Sequence, residues 1–258
     1  MTRIVICGIR GRMGRTLVRL AAERSDIEIT GGIASSAENR SDIPVVPLKD
    51  AAGLIDDADV VVDFSTAAAT RELLDRAAKA IRGRALVVGT TGLDETTQSD
   101  LDQLAQSSAV LTAANFSVGV NLLLGLTKRV AAALDAASYD IEIVESHHRR
   151  KIDAPSGTAL ALGEAAAAGR DVTLEDVRRD GRSGRTGARV EGEIGFHAVR
   201  GGGIVGEHRV MFAGERERIE LVHDALDRAV FAEGALAAAR WIAGREPGRW
   251  TMHDVLGL

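Results

Sequence analysis

Short apolar runs alternate with helix-forming stretches through the first half of the chain, and this alternation constrains the fold more than any other feature. The apolar runs occupy residues 4–7, 27–34, 60–64, 86–89 and 110–113, and helical patterns occupy 16–24, 67–80 and 95–107. Strand and helix alternating in this way predict a parallel, doubly wound sheet. Aromatic residues make up only 3% of the chain, so the core must consist of Ala, Val, Leu and Ile, which suits such a sheet.

The pattern changes near residue 117. A long helix is predicted over 120–134, a strand over 139–145 and another helix over 158–168. Three strand-like runs then follow in close succession, and a helix rich in alanine closes the series; they lie at 191–199, 204–212, 218–223 and 228–243. Strands this close in the chain predict an open sheet with antiparallel or mixed pairing.

The fold class predicted from these patterns is α/β. A Rossmann-type doubly wound parallel sheet forms a nucleotide domain at residues 1–117, and the C-terminal helix 228–258 packs back onto it. A second α+β domain with an open mixed sheet occupies residues 118–227.

Charge and cysteine content exclude several kinds of site. The formal net charge of −5 gives no electrostatic reason to bind nucleic acid or an anionic membrane. Cys7 is the only cysteine, which excludes an internal disulfide and a cysteine-rich metal site. No apolar run approaches the ~18 residues that span a bilayer, and the N-terminus has no signal-peptide layout. We therefore expect a cytoplasmic protein without nucleic-acid or membrane partners.

Three glycines follow the first predicted strand and precede the first helix. Gly8, Gly11 and Gly14 have the spacing G-x-x-G-x-x-G, because Arg10 stands where the commoner motif has glycine. Backbone amides at such a turn point toward the pyrophosphate of a dinucleotide from a helix N-terminus. Packing of the strand against the helix would also explain the glycines, so the motif alone leaves both interpretations open.

The end of the second strand bears on which cofactor is used. A carboxylate there binds the adenosine ribose of NAD, but Ser35 and Ser36 follow Ala34 instead. Without that carboxylate the site lacks a hydrogen-bond acceptor for the ribose, but it also no longer repels a 2′-phosphate. Arg12 and Arg40 could add positive charge near the position of that phosphate. We therefore expect NADPH to be used at least as well as NADH. The alternative is that the serines merely end a strand.

Two further loops follow predicted parallel strands, at Gly89-Thr90-Thr91-Gly92 and Ala113-Ala114-Asn115-Phe116. In an open parallel sheet the loops at the carboxyl ends of the strands line the ligand crevice. Ordinary turns would have a similar composition, so position rather than composition favours a role in binding.

The densest chemical signal is the segment from Glu145 to Ala159. Residues 147–151 hold two histidines and three cations within an acidic protein, and Pro155-Ser156-Gly157-Thr158 has the pattern of a helix N-cap that offers hydroxyls and amides to an anion. Together they would suit a small dicarboxylate, whereas a solvated charge run is the alternative. We predict no zinc site, because His147 and His148 are adjacent on a strand and point to opposite faces.

The chain resembles the 4-hydroxy-tetrahydrodipicolinate reductase family, formerly called dihydrodipicolinate reductase. The family pattern E-x-H-H-x-x-K-x-D-x-P-S-G-T-A is matched in full at 145–159. The glycine turn, both loops after the later strands, the extension of the second loop to Asn121, and the segments 195–196 and 204–208 also match, in order along the chain.

The resemblance implies roles for individual residues. His147 matches the acid/base residue and Lys151 the proton donor, while His148, Gly157 and Thr158 match substrate-binding positions. The nucleotide contacts it implies are Gly8, Ile9, Arg10, Gly11, Arg12, Met13, Gly89, Thr90, Thr91, Ala113, Ala114, Asn115 and Phe116. We add Ser156 to the substrate site from its place in the capping loop, and Ser35 and Ser36 to the cofactor site.

The resemblance also implies the reaction. The substrate is a cyclic dicarboxylate, (2S,4S)-4-hydroxy-2,3,4,5-tetrahydrodipicolinate, which loses water and accepts hydride from NADPH or NADH in diaminopimelate and lysine biosynthesis. A homotetramer formed through the second sheet is implied, which makes 118–227 the substrate-binding and oligomerisation domain.

Two departures from the family pattern concern the cofactor. An acidic residue often stands where Ser35 does, sometimes followed by Arg at the position of Ser36. Ile9 replaces the usual alanine and could crowd the pyrophosphate.

Two other functions compete with this interpretation. Another dehydrogenase with the same two-domain plan would fit the fold but not the full histidine–lysine–PSGT signature. A non-catalytic sensor of nucleotides would fit the glycine turn, although it would need neither His147 nor Lys151.

Overall fold

A computed structural model describes residues 1–36 and 43–258 of the chain. Its strands are β1 (Thr2–Cys7), β2 (Ile27–Ile33), β3 (Val45–Val46), β4 (Val60–Asp63), β5 (Ala85–Val88), β6 (Ala109–Thr112), β7 (Asp140–His147), β8 (Arg178–Asp180), β9 (Ile194–Arg200), β10 (Glu207–Ala213), β11 (Arg218–Asp224) and β12 (Gly248–Trp250). Its helices are α1 (Arg12–Ala22), α2 (Ala52–Asp56), α3 (Ala67–Ile81), α4 (Glu95–Leu104), α5 (Val118–Ala133), α6 (Gly157–Gly169), α7 (Leu174–Val177), α8 (Ala229–Ile242) and α9 (Met252–Leu256). None of the described helices has the length and apolar character needed to cross a membrane.

The described residues divide into two compact units, Met1–Val118 with Ala229–Leu258, and Gly119–Arg228. The sheet of the first unit is parallel throughout, with the order β12-β6-β5-β4-β1-β2-β3. From β1 the chain adds β2 and β3 on one side and then β4, β5 and β6 on the other. This reversal is the switch point at which doubly wound sheets bind ligands, and it confirms the predicted Rossmann-type sheet.

Helices cover both faces of this sheet because its central strands are apolar on both sides. Ile4 and Ile6 of β1 belong to a core on one face, which includes apolar residues of α1 and α8. Val5 and Cys7 belong to a second core on the other face, with residues of α3 and α4. A strand that is buried on both faces has a continuous run of apolar residues in its sequence, which is why these strands were predictable.

The helix predicted over 228–243 is present as α8, but the rest of the segment to residue 258, which was expected to be helical too, contains β12 and α9. Gly244 has a φ of +74°, in the left-handed region that a helix interior does not contain, and Pro247 lies just before β12. The returning strand β12 then pairs with β6 at the edge of the sheet.

The second unit contains a mixed sheet with the order β11-β10-β7-β9-β8. Neighbours are antiparallel from β11 to β7 and parallel from β7 to β8, which confirms the mixed sheet predicted from the sequence. One face of β7 packs Ile141 and Ile143 into a core with residues of α6. The sequence did not reveal β8, whose three exposed residues Arg-Arg-Asp lack the apolar alternation of a strand.

The packing of α8 in the first unit generates a test. A Cβ on Gly234 would overlap the carbonyl oxygen of Phe116, a backbone atom that cannot move aside easily. We expect Gly234→Ala to lower the free energy of unfolding by about 2 kcal/mol or more, as overpacked cores do. Gly53→Ala is the control, because its Cβ would meet nothing within 4 Å and alanine is the better helix former, so it should be neutral or slightly stabilising. Urea denaturation of both variants measures this, and equal stability would contradict the packing described.

Candidate functional site

The glycine turn after β1 has the geometry of a phosphate-binding loop. Gly8 has a φ of +80°, and a Cβ there would lie 2.6 Å from the carbonyl oxygen of Phe64, so only glycine fits without strain. Its N–H donates to the Ile33 carbonyl at 2.9 Å, and the Gly11 N–H donates to the Gly8 carbonyl at 2.9 Å. Gly11 is the N-cap of α1 and has no side chain to cap the amides of the first turn, at Arg12 and Met13.

A cavity of about 710 Å³ opens beside this turn, within the first unit. Residues after β1, β2 and β4 line it, among them Gly8, Gly11, Ser35, Ser65 and Thr66, and three cations also line it, Arg10, Lys49 and Arg76. A concave space of this size beside exposed helix-terminal amides and cations fits the phosphates and adenosine of a dinucleotide.

Several cofactor residues expected from the sequence lie differently in detail. The Ile9 side chain is buried in the core against Gly32, so its bulk is accommodated there. Arg10 lines the cavity and donates to the Ser36 hydroxyl at 2.8 Å, whereas Arg12 is exposed and lies outside the lining. Arg40 lies outside the described residues.

The loops after β4 and β5 are joined by short contacts. Thr90 accepts a hydrogen bond from the Ser65 N–H at 3.1 Å, and the Phe64 ring packs against Gly89 so closely that a Cβ there would overlap the ring. Thr91 follows, exposed. The carboxyl ends of β4 and β5 therefore present one surface beside the glycine turn.

The loop after β6 joins the same surface. The ring of buried Phe116 contacts that of Phe64 edge-on, with centroids 5.3 Å apart. The Asn115 side chain accepts a hydrogen bond from the Ser117 N–H at 2.9 Å, which fixes the loop. The Ala113 N–H donates to the Val88 carbonyl, and Ala114 is exposed. Phe116 thus contributes packing, through its ring against Phe64 and through its carbonyl against Gly234 of α8.

Asp63, at the end of β4, was not expected from the sequence. It is fully buried, accepts the Ser65 N–H at 3.0 Å and the Thr70 hydroxyl at 2.5 Å, and its burial raises its pKa. Asp63 therefore fixes the loop that carries Ser65 into the cavity wall. The rule that pointed to the loops after β5 and β6 applies equally after β4 and could have found this loop.

The second unit holds a polar cluster at one end of an otherwise apolar sheet face. Along β7, Ile141 and Ile143 point into the core, and Glu145 and His147 continue the same face. The strand partners of the apolar pair are apolar, whereas His208 lies opposite Glu145 on β10 and Arg200 lies beside His147 on β9. Along this face of β7 the residues therefore change from apolar in the core to charged and polar at the carboxyl end of the strand.

Glu145 is the centre of this cluster. It is 1% exposed and accepts two hydrogen bonds from the Arg200 guanidinium, both at 2.7 Å. His147 Nδ1 lies 2.6 Å from Oε2, and the Ser156 N–H donates to Oε1 at 3.0 Å. Burial alone would raise the pKa of Glu145, but Arg200 and His147 outweigh it and leave the pKa below its usual value. The carboxylate is therefore ionised.

Ser156 and His208 complete the buried part of the cluster. The Ser156 hydroxyl caps α6 by accepting the Ala159 N–H at 3.1 Å, and it lies 3.1 Å from His208 Nε2. Burial, followed by the charge of His147, lowers the pKa of His208 to about 4. His208 is thus neutral near pH 7. Its ring contacts the ring of His147 edge-on, with the ring centroids 5.1 Å apart.

Lys151 and the first turn of α6 are held by the same network. The Lys151 ammonium pairs with Asp153 at 2.8 Å, and the Asp153 carbonyl accepts from Arg200 at 2.7 Å. Gly157 and Thr158 are the first two residues of α6, where the helix dipole favours an anion. The structure therefore gathers a cation, a helix terminus and a histidine around one end of β7.

His148 lies apart from His147. Its Nε2 accepts from Arg228 at 3.1 Å, and desolvation with the charges of Arg228 and Arg150 lowers its pKa. A neutral His148 can offer a hydrogen bond without adding charge. In residues 1–36 and 43–258, no group of three or more His, Cys, Asp or Glu side chains could hold a metal ion.

Sequence reasoning gave no role to Glu145, Arg200 or His208. Glu145 and His208 stand inside the matched motifs, but Arg200 has no local signal. Its place follows from the parallel register of β7 with β9, which pairs residues 53 positions apart, His147 with Arg200.

Comparisons with known proteins assign both halves of the chain to one family. The family model described as "Dihydrodipicolinate reductase, N-terminus" matches residues 2–116, and the corresponding C-terminus model matches residues 119–256. Proteins named 4-hydroxy-tetrahydrodipicolinate reductase are 48% identical in Parvibaculum lavamentivorans and 46% in Caulobacter vibrioides, each over 99% of this chain and 97–98% of the relative.

Solved structures agree in fold. A dipicolinate-bound dihydrodipicolinate reductase from Paenisporosarcina sp. TG-14 is 25% identical, with a TM-score of 0.76 and 98% of each chain covered. An engineered D-amino acid dehydrogenase bound to NADP⁺, 18% identical, has a TM-score of 0.55 over 97% of this chain and 93% of its own. The second likeness shows the fold alone.

The buried, neutral state of His208 generates a test of the cluster. Its pKa is about 4 in the folded chain against a reference of 6.5, so the unfolded chain binds more protons in that window and stability must fall as the pH drops from 6.5 toward 4. We expect this residue to account for a loss of about 2 kcal/mol in the free energy of unfolding between pH 7 and pH 5. Urea denaturation of wild type and His208→Gln at both values measures it, and an unchanged pH dependence in the variant would contradict the burial described.

Proposed function

Because the chain belongs to the dihydrodipicolinate reductase family, we propose that it reduces (2S,4S)-4-hydroxy-2,3,4,5-tetrahydrodipicolinate to tetrahydrodipicolinate, with loss of water, in diaminopimelate and lysine biosynthesis. One observation carries the proposal. Both family models match, at 2–116 and 119–256, so the glycine turn and the polar cluster on β7 lie within a full-length match to reductases of this name.

The first unit takes the role of the dinucleotide-binding domain, and 118–227 that of the substrate-binding and oligomerisation domain. The reduction uses hydride supplied by a bound nicotinamide cofactor. The amides after Gly11 hold its pyrophosphate, and the loops at 89–91 and 113–116 border the same surface.

NADPH is used at least as well as NADH. No carboxylate stands at Ser35 or Ser36 to repel a 2′-phosphate, and Arg10 reaches Ser36 at the edge of a cavity that Lys49 and Arg76 also line. Arg76 forms an ion pair at 2.8 Å with Glu72, which also lines the cavity, so Arg10 and Lys49 are the cations that favour the more negative cofactor.

Substrate recognition rests on charge. A cyclic dicarboxylate brings two negative charges, which the Lys151 ammonium and the N-terminus of α6 at Ser156, Gly157 and Thr158 neutralise. His148, kept neutral beside Arg228, donates or accepts a hydrogen bond at the ring's edge. These groups orient the ring so that one carbon can accept hydride.

Two residues exchange protons. His147 acts as the acid/base group, because an imidazole is the side chain suited to give and take a proton near neutral pH. Lys151, whose ammonium pairs with Asp153 at 2.8 Å, donates the proton that accompanies reduction. The chain acts in the cytoplasm as a homotetramer assembled through the mixed sheet, and a monomeric mass by light scattering would remove that part of the proposal.

A coupled assay tests the reaction. The upstream synthase, supplied with pyruvate and aspartate semialdehyde, makes the substrate in place, and loss of absorbance from NADPH and from NADH is followed at matched concentrations. We expect oxidation that requires the synthase, with a rate for NADPH at least equal to that for NADH. Folded protein that binds nucleotide but oxidises neither cofactor would favour the sensor and refute the proposal.

The division of roles among the cationic residues can be measured by mutation. We expect Lys151→Ala to lower kcat by about 100-fold, the scale of general acid catalysis. His148→Ala should mainly raise KM for the substrate, by about tenfold, because it loses one hydrogen bond worth about 1.4 kcal/mol. The control is Arg149→Ala, an exposed cation in the same run, which should change neither constant more than about twofold. Comparable losses of kcat in the Lys151 and His148 variants would contradict this division.

Cofactor choice has its own test at the glycine turn. We expect Arg10→Ala to raise KM for NADPH about tenfold, the scale of one charge-assisted contact, while KM for NADH changes less than about twofold. Arg15→Ala, an exposed arginine in the first turn of α1, is the matched control and should affect neither cofactor. An equal rise for both cofactors would show that Arg10 supports the turn rather than selecting the 2′-phosphate.

A further inference from the structure

We propose that Glu145 and Arg200 are positioning residues for His147: the buried carboxylate holds the imidazole proton on Nδ1, so that Nε2 is the atom that exchanges protons with the substrate. This inference rests on the proposed function, in which His147 is the acid/base group. It adds what sets the tautomer of that group, which the sequence motif does not reveal.

As a carboxylate, Glu145 can only accept hydrogen bonds. Its two oxygens accept from four donors, which are the two terminal nitrogens of Arg200, the Ser156 N–H and His147 Nδ1. A bidentate guanidinium and a backbone amide are donors in every protonation state. The carboxylate is therefore fixed in place by three permanent donors, and His147 is the fourth.

The carboxylate sets the tautomer of His147. Nδ1 of His147 lies 2.6 Å from an ionised oxygen that has no proton to give, so Nδ1 must carry the hydrogen. In neutral His147 the lone pair then lies on Nε2. A Cβ at Gly206 would lie 3.1 Å from that nitrogen, so the glycine keeps a side chain away from it.

The other titratable groups around the His147 ring are either neutral or paired with an opposite charge. His208 on β10 meets the His147 ring edge-on and is neutral near pH 7, so it adds no second positive charge. Arg200 on β9 has its charge matched by Glu145, and Lys151 has its charge matched by Asp153. The pairing leaves the His147–Glu145 hydrogen bond as the contact that orients the imidazole.

The proton balance follows directly. When doubly protonated His147 acts as an acid, the Nε2–H bond breaks, the proton passes to the substrate and the electron pair stays on Nε2. The Nδ1–H bond remains intact and Glu145 stays ionised throughout. When His147 acts as a base, the same steps run in reverse.

Glu145→Gln tests the tautomer with almost no change of shape. The amide nitrogen of the glutamine must take the place of one carboxylate oxygen. At the position of Oε1 it would face two permanent donors, Arg200 and the Ser156 N–H. At the position of Oε2 it would face one permanent donor, Arg200, together with His147 Nδ1. The second arrangement has fewer donor–donor clashes, and in it the amide donates to Nδ1 and drives the proton of His147 to Nε2. The variant therefore reverses the tautomer.

Strand β7 offers a matched control on its opposite face. Glu142 also binds a histidine and two arginines, with His197 Nε2 at 2.7 Å and Arg182 and Arg189 at 3.0 Å, but its partners are not part of the cluster around His147. Glu142→Gln therefore removes an equivalent charge network from the same strand. Variants are compared at the same oligomeric mass by light scattering.

Two readouts are used. Nitrogen chemical shifts of histidine-labelled protein, assigned with His147→Asn, report the tautomer without any need for activity. We expect Nδ1–H in wild type and in Glu142→Gln, and Nε2–H in Glu145→Gln. In the coupled assay we expect kcat to fall about 100-fold or more in Glu145→Gln with KM within about threefold, as for a triad histidine held in the wrong tautomer, and Glu142→Gln to stay within about twofold.

Each outcome bears on the inference separately from the proposed function. An Nε2–H tautomer in wild type overturns it, even if Glu145→Gln does not fold. A folded Glu145→Gln with an unchanged tautomer, or with a kcat within threefold of wild type, also overturns it. Wild type that oxidises no cofactor in the coupled assay refutes the proposed function instead, while the tautomer measurement still reports on Glu145.

Discussion

A carboxylate buried at the end of a hydrophobic sheet face costs several kcal/mol unless its charge is matched and its oxygens are bonded. Glu145 meets both conditions through four donors drawn from three places in the chain: His147 on its own strand, Arg200 on β9 and the amide that precedes α6. Satisfying this one group fixes the register of two strands at their carboxyl ends and the start of the helix. The positions of His147, Lys151 and the helix N-terminus all depend on it.

The first unit combines a close backbone approach with a buried acid of its own. Its glycine turn requires close approach between chain segments, and Gly8 permits this where any side chain would meet the carbonyl of Phe64. Asp63, buried beneath the neighbouring loop, satisfies amide and hydroxyl donors in the same manner as Glu145. In both units, therefore, a buried acid near a strand end holds a loop that carries residues proposed to bind ligand. Such groups stabilise a single arrangement of the loop, because any other arrangement leaves the acid unsatisfied.

The sequence predicts the parts of this protein that depend on local pattern. Strands such as β1 and β4, apolar on both faces, and the alternation along β7 are visible as periodicity, and the capping residue Ser156 is visible as a motif. Contacts set by register are not visible: Arg200 meets Glu145 only because β9 lies parallel to β7. The direction of a side chain at a turn is equally hidden, which is why Ile9, expected at the pyrophosphate, lies in the core, and why Arg10 rather than Arg12 lines the cavity.

The central claim is that the polar end of the β7 face is a dicarboxylate site. A crystal structure of the full chain with NADPH and dipicolinate, a planar dicarboxylate, tests it most directly. We expect one carboxylate within hydrogen-bonding distance of the amides of Gly157 and Thr158, the Lys151 ammonium on a carboxylate, and the ring within reach of His147 Nε2. Dipicolinate bound elsewhere, or bound with Lys151 still paired to Asp153 and no contact to α6, would contradict the account.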